Sequence, residues 1–231
     1  MQQLPLGVRL RDRADFANFH PGRNEVLVES LQRFVAPESA GCAWISGPAG
    51  CGKSHLLQAA CARLSGGAYF PLSELQHLGP GVLEGAEELP LVCIDDVGLV
   101  IGRAQWESAL FRLYVELDAG RGRLLLADEL PPGQRLFDLP DLASRCAAAF
   151  RGALLPLDEP EQREALRLRA SLRGPELPED CALYLQRHFP RDMASLQGIL
   201  DRLDAASLSA QRRLTLPFLR DVLSERLPPG G

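Results

Sequence analysis

Gly47-Pro-Ala-Gly-Cys-Gly-Lys53-Ser54 is the stretch of this sequence best equipped to do chemistry. It satisfies G-x-x-x-x-G-K-[ST] at every fixed position. Gly47, Gly50 and Gly52 allow backbone conformations that a Cβ forbids, so successive N–H groups can turn inward on a polyphosphate. A helix opening at Lys53 adds its positive end. Lys53 supplies a point charge for the β- and γ-phosphates, and the Ser54 hydroxyl is a ligand for Mg²⁺. Lys53 is also the single lysine of the chain, while the other 24 basic residues are arginines. A chain that otherwise uses arginine keeps a lysine where a phosphate loop needs one.

About 40 residues further on, Leu91-Val-Cys-Ile94 is an apolar run that ends in Asp95-Asp96. At the C-terminal end of a parallel strand such a carboxylate faces the ligand crevice. Asp95 is the expected partner of Ser54 around the metal. Asp96 stands where many ATPases of this type carry a glutamate that polarises the attacking water. One methylene less sets its oxygen roughly 1.5 Å back, and a misplacement of ~1 Å can cost ~100-fold in rate. The sequence therefore predicts slow intrinsic hydrolysis, which suits a switch better than a motor.

These residues need a sheet to hold them. Residues 42–46 read as a buried strand and 53–64 as a helix ended by Ser65-Gly66-Gly67. Strands are expected at 68–72, 89–94, 123–127 and 152–157, with a Gly/Pro/Glu-rich connection over 79–90. Helices are expected at 105–119, where Trp106, Ala109, Leu110, Leu113 and Leu117 recur at helical spacing, and at 139–149. Alternating strands and helices from 42 to 157 predict a parallel five-stranded sheet flanked by helices. Past 157 the pattern is helical only: 159–173, 178–188, 192–209 and 216–226. Asp158 is placed to cap the first, with Pro160 in its first turn. Met193, Leu196, Ile199, Leu200 and Leu203 stripe the third. The expected division is 1–15 as an N-terminal peptide, 16–157 as an α/β nucleotide-binding domain and 158–231 as a small helical domain.

Composition narrows the function. The 231 residues carry a net charge of −5, against the basic surface of proteins that live on duplex DNA. No apolar run approaches ~18 residues, so no membrane span is expected. The first residues lack the basic and apolar regions of a signal peptide, and a cytoplasmic location is expected. Six cysteines, at 42, 51, 61, 93, 146 and 181, form no C-x-x-C pair and read as small hydrophobes in a reducing compartment.

With these motifs in order, the chain resembles the AAA+ domain of the replication initiator DnaA, and within that group its stand-alone homologues, the Hda family. Phe16-Ala-Asn-Phe19-His-Pro-Gly22-Arg-Asn24 looks like the family's adenine-contacting segment, which implies nucleotide contacts for Phe19 and Asn24. Leu124-Leu-Leu-Ala-Asp128 sits where the family carries its sensor 1 strand, with Asp128 as the polar residue. The family tends to follow that position with an arginine before a double proline, and here Glu129-Leu130 precede Pro131-Pro132 instead. Leu139-Pro-Asp-Leu-Ala-Ser144-Arg145 is similar to the box that ends in the arginine finger. Phe189-Pro-Arg191-Asp resembles the sensor 2 segment, in which the arginine contacts the nucleotide. Gln3-Leu4-Pro5-Leu6 resembles the sliding-clamp-binding peptide, with Gln3, Leu4 and Leu6 as its contacts.

The resemblance implies an AAA+ fold with a C-terminal helical lid, ADP or ATP with Mg²⁺ as ligand, and a DnaA-type initiator and a sliding clamp as partners. It implies a regulator that presents Arg145 to ATP held by the initiator and so restrains re-initiation. AAA+ domains commonly associate through the face bearing that arginine, so homo-oligomers are possible partners too. The initiator's helix-turn-helix domain has no counterpart in this sequence, and sequence-specific DNA binding is not expected. The alternative is an ATP-driven helicase loader of the DnaC or IstB type, which shares the sheet and phosphate loop. No basic cluster precedes the first strand, and a clamp peptide is needed by neither a loader nor a generic nucleotide-binding protein.

Overall fold

Side-chain alternation along the strands decides which helices cover which face. In the computed structural model, residues 14–36, 38–173, 176–189, 193–210 and 212–224 are described. Strand β1 is Gly41–Ser46. Its Ala43 and Ile45 enter one core cluster, while Cys42 and Trp44 enter another on the opposite face. The same split runs through β3 (Leu91–Asp95) and β4 (Arg123–Asp128), both buried throughout. Strands covered on both faces read as continuous apolar runs.

The first face is covered by α1 (Glu25–Phe34) and α2 (Lys53–Arg63). The second is covered by α4 (Ala104–Ala119), α5 (Pro140–Ala148) and the short α3 (Leu72–Leu75). With β2 (Ala68–Pro71) and β5 (Phe150–Ala153) the sheet is complete. Its order is β2-β3-β4-β1-β5, and every pair is parallel. The C-terminal ends of β1, β3 and β4 therefore open on one edge. That edge carries Gly47, Asp95 and Asp128, as expected of a ligand crevice in an open parallel sheet.

The helical part has its own core. Helices α6 (Glu159–Arg173), α7 (Glu179–His188), α8 (Met193–Ala210) and α9 (Leu216–Ser224) pack around Leu166, Leu185, Leu200 and Leu219, each 0% exposed. Leu196, Ile199, Leu200 and Leu203 are the buried stripe of α8. The Met193 side chain lies outside the described residues. Asp158 caps α6 as expected: its Oδ1 accepts from the Glu161 N–H at 3.0 Å, and Glu161 Oε2 accepts from the Asp158 N–H at 2.8 Å. This is a reciprocal capping box.

Three local features differ from the sequence reading. The last strand ends at Ala153 rather than 157, because Asn24 intercepts the chain. Its amide donates to the Leu155 carbonyl at 2.9 Å and accepts the Leu155 N–H at 2.8 Å. Residue 155 thus bonds to a side chain instead of a strand. Strand β3 starts at Leu91 rather than 89. The proline before it has no N–H to give a ladder, and its carbonyl accepts the Arg123 N–H at 3.2 Å. Helix α1 has no counterpart in the sequence reading, although Leu27, Val28 and Leu31 are its buried face.

Candidate functional site

The phosphate loop is a preformed cradle. Its first N–H, from Gly47, donates to the Asp128 carbonyl at 3.2 Å, which ties the loop to the end of β4. Gly50 and Gly52 have φ of 73° and 106°, in the region L side chains rarely adopt. At Gly52 a second reason applies: a Cβ there would lie 2.7 Å from Phe19 Cε2. The ring of Phe19 thus rests on the loop, and its centroid is 5.4 Å from that of His55. Lys53 is 6% exposed and its Nζ donates to the carbonyls of Gly47 at 2.7 Å and Pro48 at 3.0 Å. The ammonium is held at the mouth of the loop by the loop itself.

Beside it lies the acidic pair. Asp95 is 2% exposed. Its Oδ2 accepts from the Tyr69 hydroxyl at 2.8 Å and its Oδ1 from the Asp96 N–H at 3.0 Å. Burial raises its pKa, opposed by hydrogen bonds from Ser54 and Tyr69 and reinforced by the charge of Asp96. A nearby cation relieves that burial cost. Ser54 and Asp95 together offer the hard oxygen donors that Mg²⁺ takes. Among the described residues no group of three or more His, Cys, Asp or Glu could hold a metal.

Asp96 has φ 54° and ψ 38°. Among residues with a side chain, Asp and Asn tolerate this left-handed conformation best. The backbone thus gives a second reason, beyond length, for Asp rather than Glu here.

The loop, Lys53, Ser54 and Asp96 line a cavity of about 280 Å³, while Asp95 is not on its wall. The core contributes Ala49–His55, Asp96, Glu129 and Leu157. The segment Asn18–His20 closes one side, and Ala165 and Arg169 close it from the helical part. Burial holds His55 below the ordinary imidazole range, Arg169 pushes the same way, and its ring nitrogen lies 3.1 Å from the Asp15 carbonyl. It enters the site as a neutral group at pH 7.

Other expected site residues fall elsewhere. Asn24 is 4% exposed and spends its amide on Leu155, outside the cavity wall. Asp128 is also absent from that wall. Arg135 grips it bidentately, Nε to Oδ2 at 2.5 Å and Nη2 to Oδ1 at 2.7 Å. The partner of Asp128 is thus an arginine seven residues on in sequence. The pair packs on Gly98, where a Cβ would lie 2.4 Å from Asp128 Oδ1. Arg191 and the peptide residues Gln3, Leu4 and Leu6 lie outside the described residues.

Arg145 is exposed on α5, away from the cavity wall, with its guanidinium 5.4 Å from the centre of the Tyr114 ring. Its helix is fixed from below by a carboxylate that sequence reasoning missed. Glu107 is 0% exposed. It accepts the N–H groups of Gly102 at 2.7 Å, Asp138 at 3.2 Å and Leu139 at 2.6 Å. Leu139 is the N-cap of α5, so Glu107 sets where that helix begins. Tyr69 and Arg169 were also missed. The only sequence signal for Tyr69 is a polar aromatic in the strand beside β3. Arg169 and Glu107 carry none, since both sit among ordinary helical polar positions.

Burial raises the thiols of Cys42, Cys51, Cys93, Cys146 and Cys181, Cys146 to about 12 and Cys181 to about 11, away from the reactive thiolate. All six are unpaired thiols.

Parallel sheet, phosphate loop, acidic strand end and helical lid together define an AAA+ P-loop fold. The fold matches domain III of the replication initiation protein DnaA from Thermotoga maritima with a TM-score of 0.76 and 21% identity, covering 94% of this chain and 98% of that one. AMPPCP-bound DnaA from Aquifex aeolicus matches with a TM-score of 0.71 and 18% identity, over 94% of this chain and 70% of that one. Thermotoga maritima RuvB matches at 0.63 and 15%, over 87% and 67%. The chain spans 66% of a DNA replication initiation factor and 65% of the replication initiator DnaA bound to AMPPCP and single-stranded DNA. Residues 158–223 match the family described as Hda, lid domain. The fold is thus that of DnaA domain III, and the helical part is similar to the Hda lid domain. No helix among the described residues is long and apolar enough to cross a membrane.

Proposed function

We propose that this protein regulates the initiation of DNA replication: it binds ADP or ATP with Mg²⁺ in its cleft and stimulates hydrolysis of ATP held by a DnaA-type initiator. The observation that carries the reading is the position of Arg145. It is exposed, it lines no part of its own cleft, and a buried carboxylate fixes the start of its helix. A guanidinium so placed is of use to a nucleotide on another molecule. Such a finger neutralises charge building on the γ-phosphate and is worth ~10³–10⁵ in rate. The Hda lid match and the DnaA-like fold support the same reading.

Within the chain's own cleft the roles are binding roles. The N–H groups of the phosphate loop and Lys53 hold the phosphates, and Phe19 offers a face to the base. Ser54 and Asp95 would hold Mg²⁺, which supplies charge neutralisation between phosphate oxygens. Tyr69 orients Asp95 through its hydroxyl. Asp96, short and held in a left-handed conformation, keeps the chain's own hydrolysis slow. Gln3–Leu6 tethers the protein to a DNA-loaded sliding clamp, which raises its local concentration near the initiator.

The test is a reconstituted assay with initiator loaded with labelled ATP, clamp on DNA, and this protein with ADP. Wild type should accelerate hydrolysis, and Arg145→Ala and deletion of residues 1–7 should each abolish the effect. If wild type leaves the initiator's nucleotide untouched, the regulatory reading fails.

A further inference from the structure

We propose that Arg169 is a nucleotide-binding residue of the lid: its guanidinium engages the phosphates of the bound nucleotide and so draws the lid onto the core. The inference rests on the reading of the cleft as a nucleotide site. It adds a binding residue that the sequence motifs do not assign.

Three observations converge on it. Of the lid residues that line the cavity, Ala165 is apolar and Arg169 is the charged one. Ala165 and Arg169 are four apart on α6 and share a face. The alanine keeps that face low where the helix passes the cleft, and the arginine reaches in one turn later.

Next, α6 is bolted to the core at its start. The Arg23 N–H donates to Glu161 Oε1 at 3.0 Å, and the Arg23 guanidinium bonds Asp158 at 2.5 Å and Glu161 at 3.1 Å. His20 Nε2 lies 3.4 Å from Glu164. Arg169 is eight residues past Glu161, about 12 Å along the helix axis. Its place over the cleft is therefore set by the same segment, Phe19 to Asn24, that packs on the phosphate loop.

Last, Arg169 faces the loop closely enough to bias His55, the residue after Ser54, against protonation. The other charged groups on the cavity wall are Lys53, Asp96 and Glu129. Behind Arg169 its Nη2 lies 3.5 Å from Asp201 on α8. That contact steadies the side chain from the lid side. Lys53 and Arg169 are the two cations on the wall of a space that the phosphate loop shapes for anions, which favours a polyphosphate there. Arg suits that task because its planar fork matches phosphate oxygens.

The experiment measures ADP and ATP affinity by titration calorimetry, with Mg²⁺, at several salt concentrations, for wild type, Arg169→Ala and Arg169→Lys. The expected result is a loss of roughly tenfold in Arg169→Ala, the order of one phosphate contact at partly screened range. Arg169→Lys should recover part of it. The salt dependence of affinity should be shallower in Arg169→Ala than in wild type, a change that a packing role would not produce. Should Arg169→Ala fail to fold, Arg169→Gln keeps the stem, loses the charge and is read by the same salt slope. Unchanged affinity and slope in the variant overturn the proposal. So does an equal loss in Arg169→Ala and Arg169→Lys with a lowered Tm and an unchanged slope. Wild type that binds neither nucleotide overturns the underlying reading of the cleft instead.

Discussion

The two faces that carry the protein's chemistry are built on opposite terms. On the cleft side the charged groups are buried and already partnered: Lys53 on loop carbonyls, Asp95 on Tyr69, Asp128 on Arg135. On the α5 side Arg145 is exposed and rests on the ring of Tyr114, while the buried investment lies beneath it in Glu107. A cleft that closes on its own ligand gains from being preorganised, because groups already in place need no ordering when the ligand arrives. A finger that works on a neighbour must stay exposed, so only the root of its helix can be fixed. On the proposed function, the contrast separates binding of the chain's own nucleotide from action on another's.

The sharpest way to test that separation is Arg145→Ala. Stimulation of the initiator's ATP hydrolysis should fall by about 10³, while ADP affinity of the chain's own cleft stays in place, both read in parallel assays. A drop in both would break the contrast, because it would put Arg145 in the cleft. Glu107→Ala comes next. Three backbone N–H groups lose a buried carboxylate, which should cost about 3 kcal/mol of stability by urea denaturation. In the folded fraction stimulation should suffer more than nucleotide affinity.

Lys53→Ala should weaken ATP and ADP by on the order of 100-fold in a titration, the order expected of a buried charge contact at a few ångströms. It should spare stimulation only if the chain's own nucleotide is dispensable for the finger. The smallest effect belongs to the lid clamp. The backbone N–H of Asp158 and the guanidinium of Arg23 hold the Glu161 carboxyl below the usual carboxylate range. A depressed carboxylate contributes stability above its unfolded pKa and loses it as pH falls through the folded value. Lid attachment should therefore weaken below about pH 4.3, seen as faster proteolysis between residues 153 and 159. In Arg23→Gln the carboxyl is less depressed, so the loss on acidification should be smaller. Identical pH profiles in both proteins would remove Arg23 from the clamp.

The core of the site was legible in the sequence. The phosphate loop is local: eight consecutive residues carry its glycines, its lysine and its serine, and their roles follow from backbone geometry. Asp95 was legible for a related reason, since an apolar strand aims whatever ends it at the crevice. The lid helices were legible from their spacing, because one buried stripe fixes a helix without reference to the rest of the fold.

What the sequence could not carry is which side chains meet across elements. Asn24 ends β5 early from 131 residues away, and no local pattern announces that. Arg135 meets Asp128 because the turn at Pro132–Gln134 folds it back, a matter of loop path. Glu107 and Arg169 sit at helical positions whose residue types suit any solvated face. Their roles as buried anchor and cleft cation arise only when α4 meets α5 and when α6 passes the phosphate loop. Sequence alone determined most of the elements, though not α1 or the bounds of β5, and the local motif, whose energetics depend on neighbours along the chain. Tertiary structure decided the partners, because charge and hydrogen bonding act over distances that the fold, not the chain order, sets.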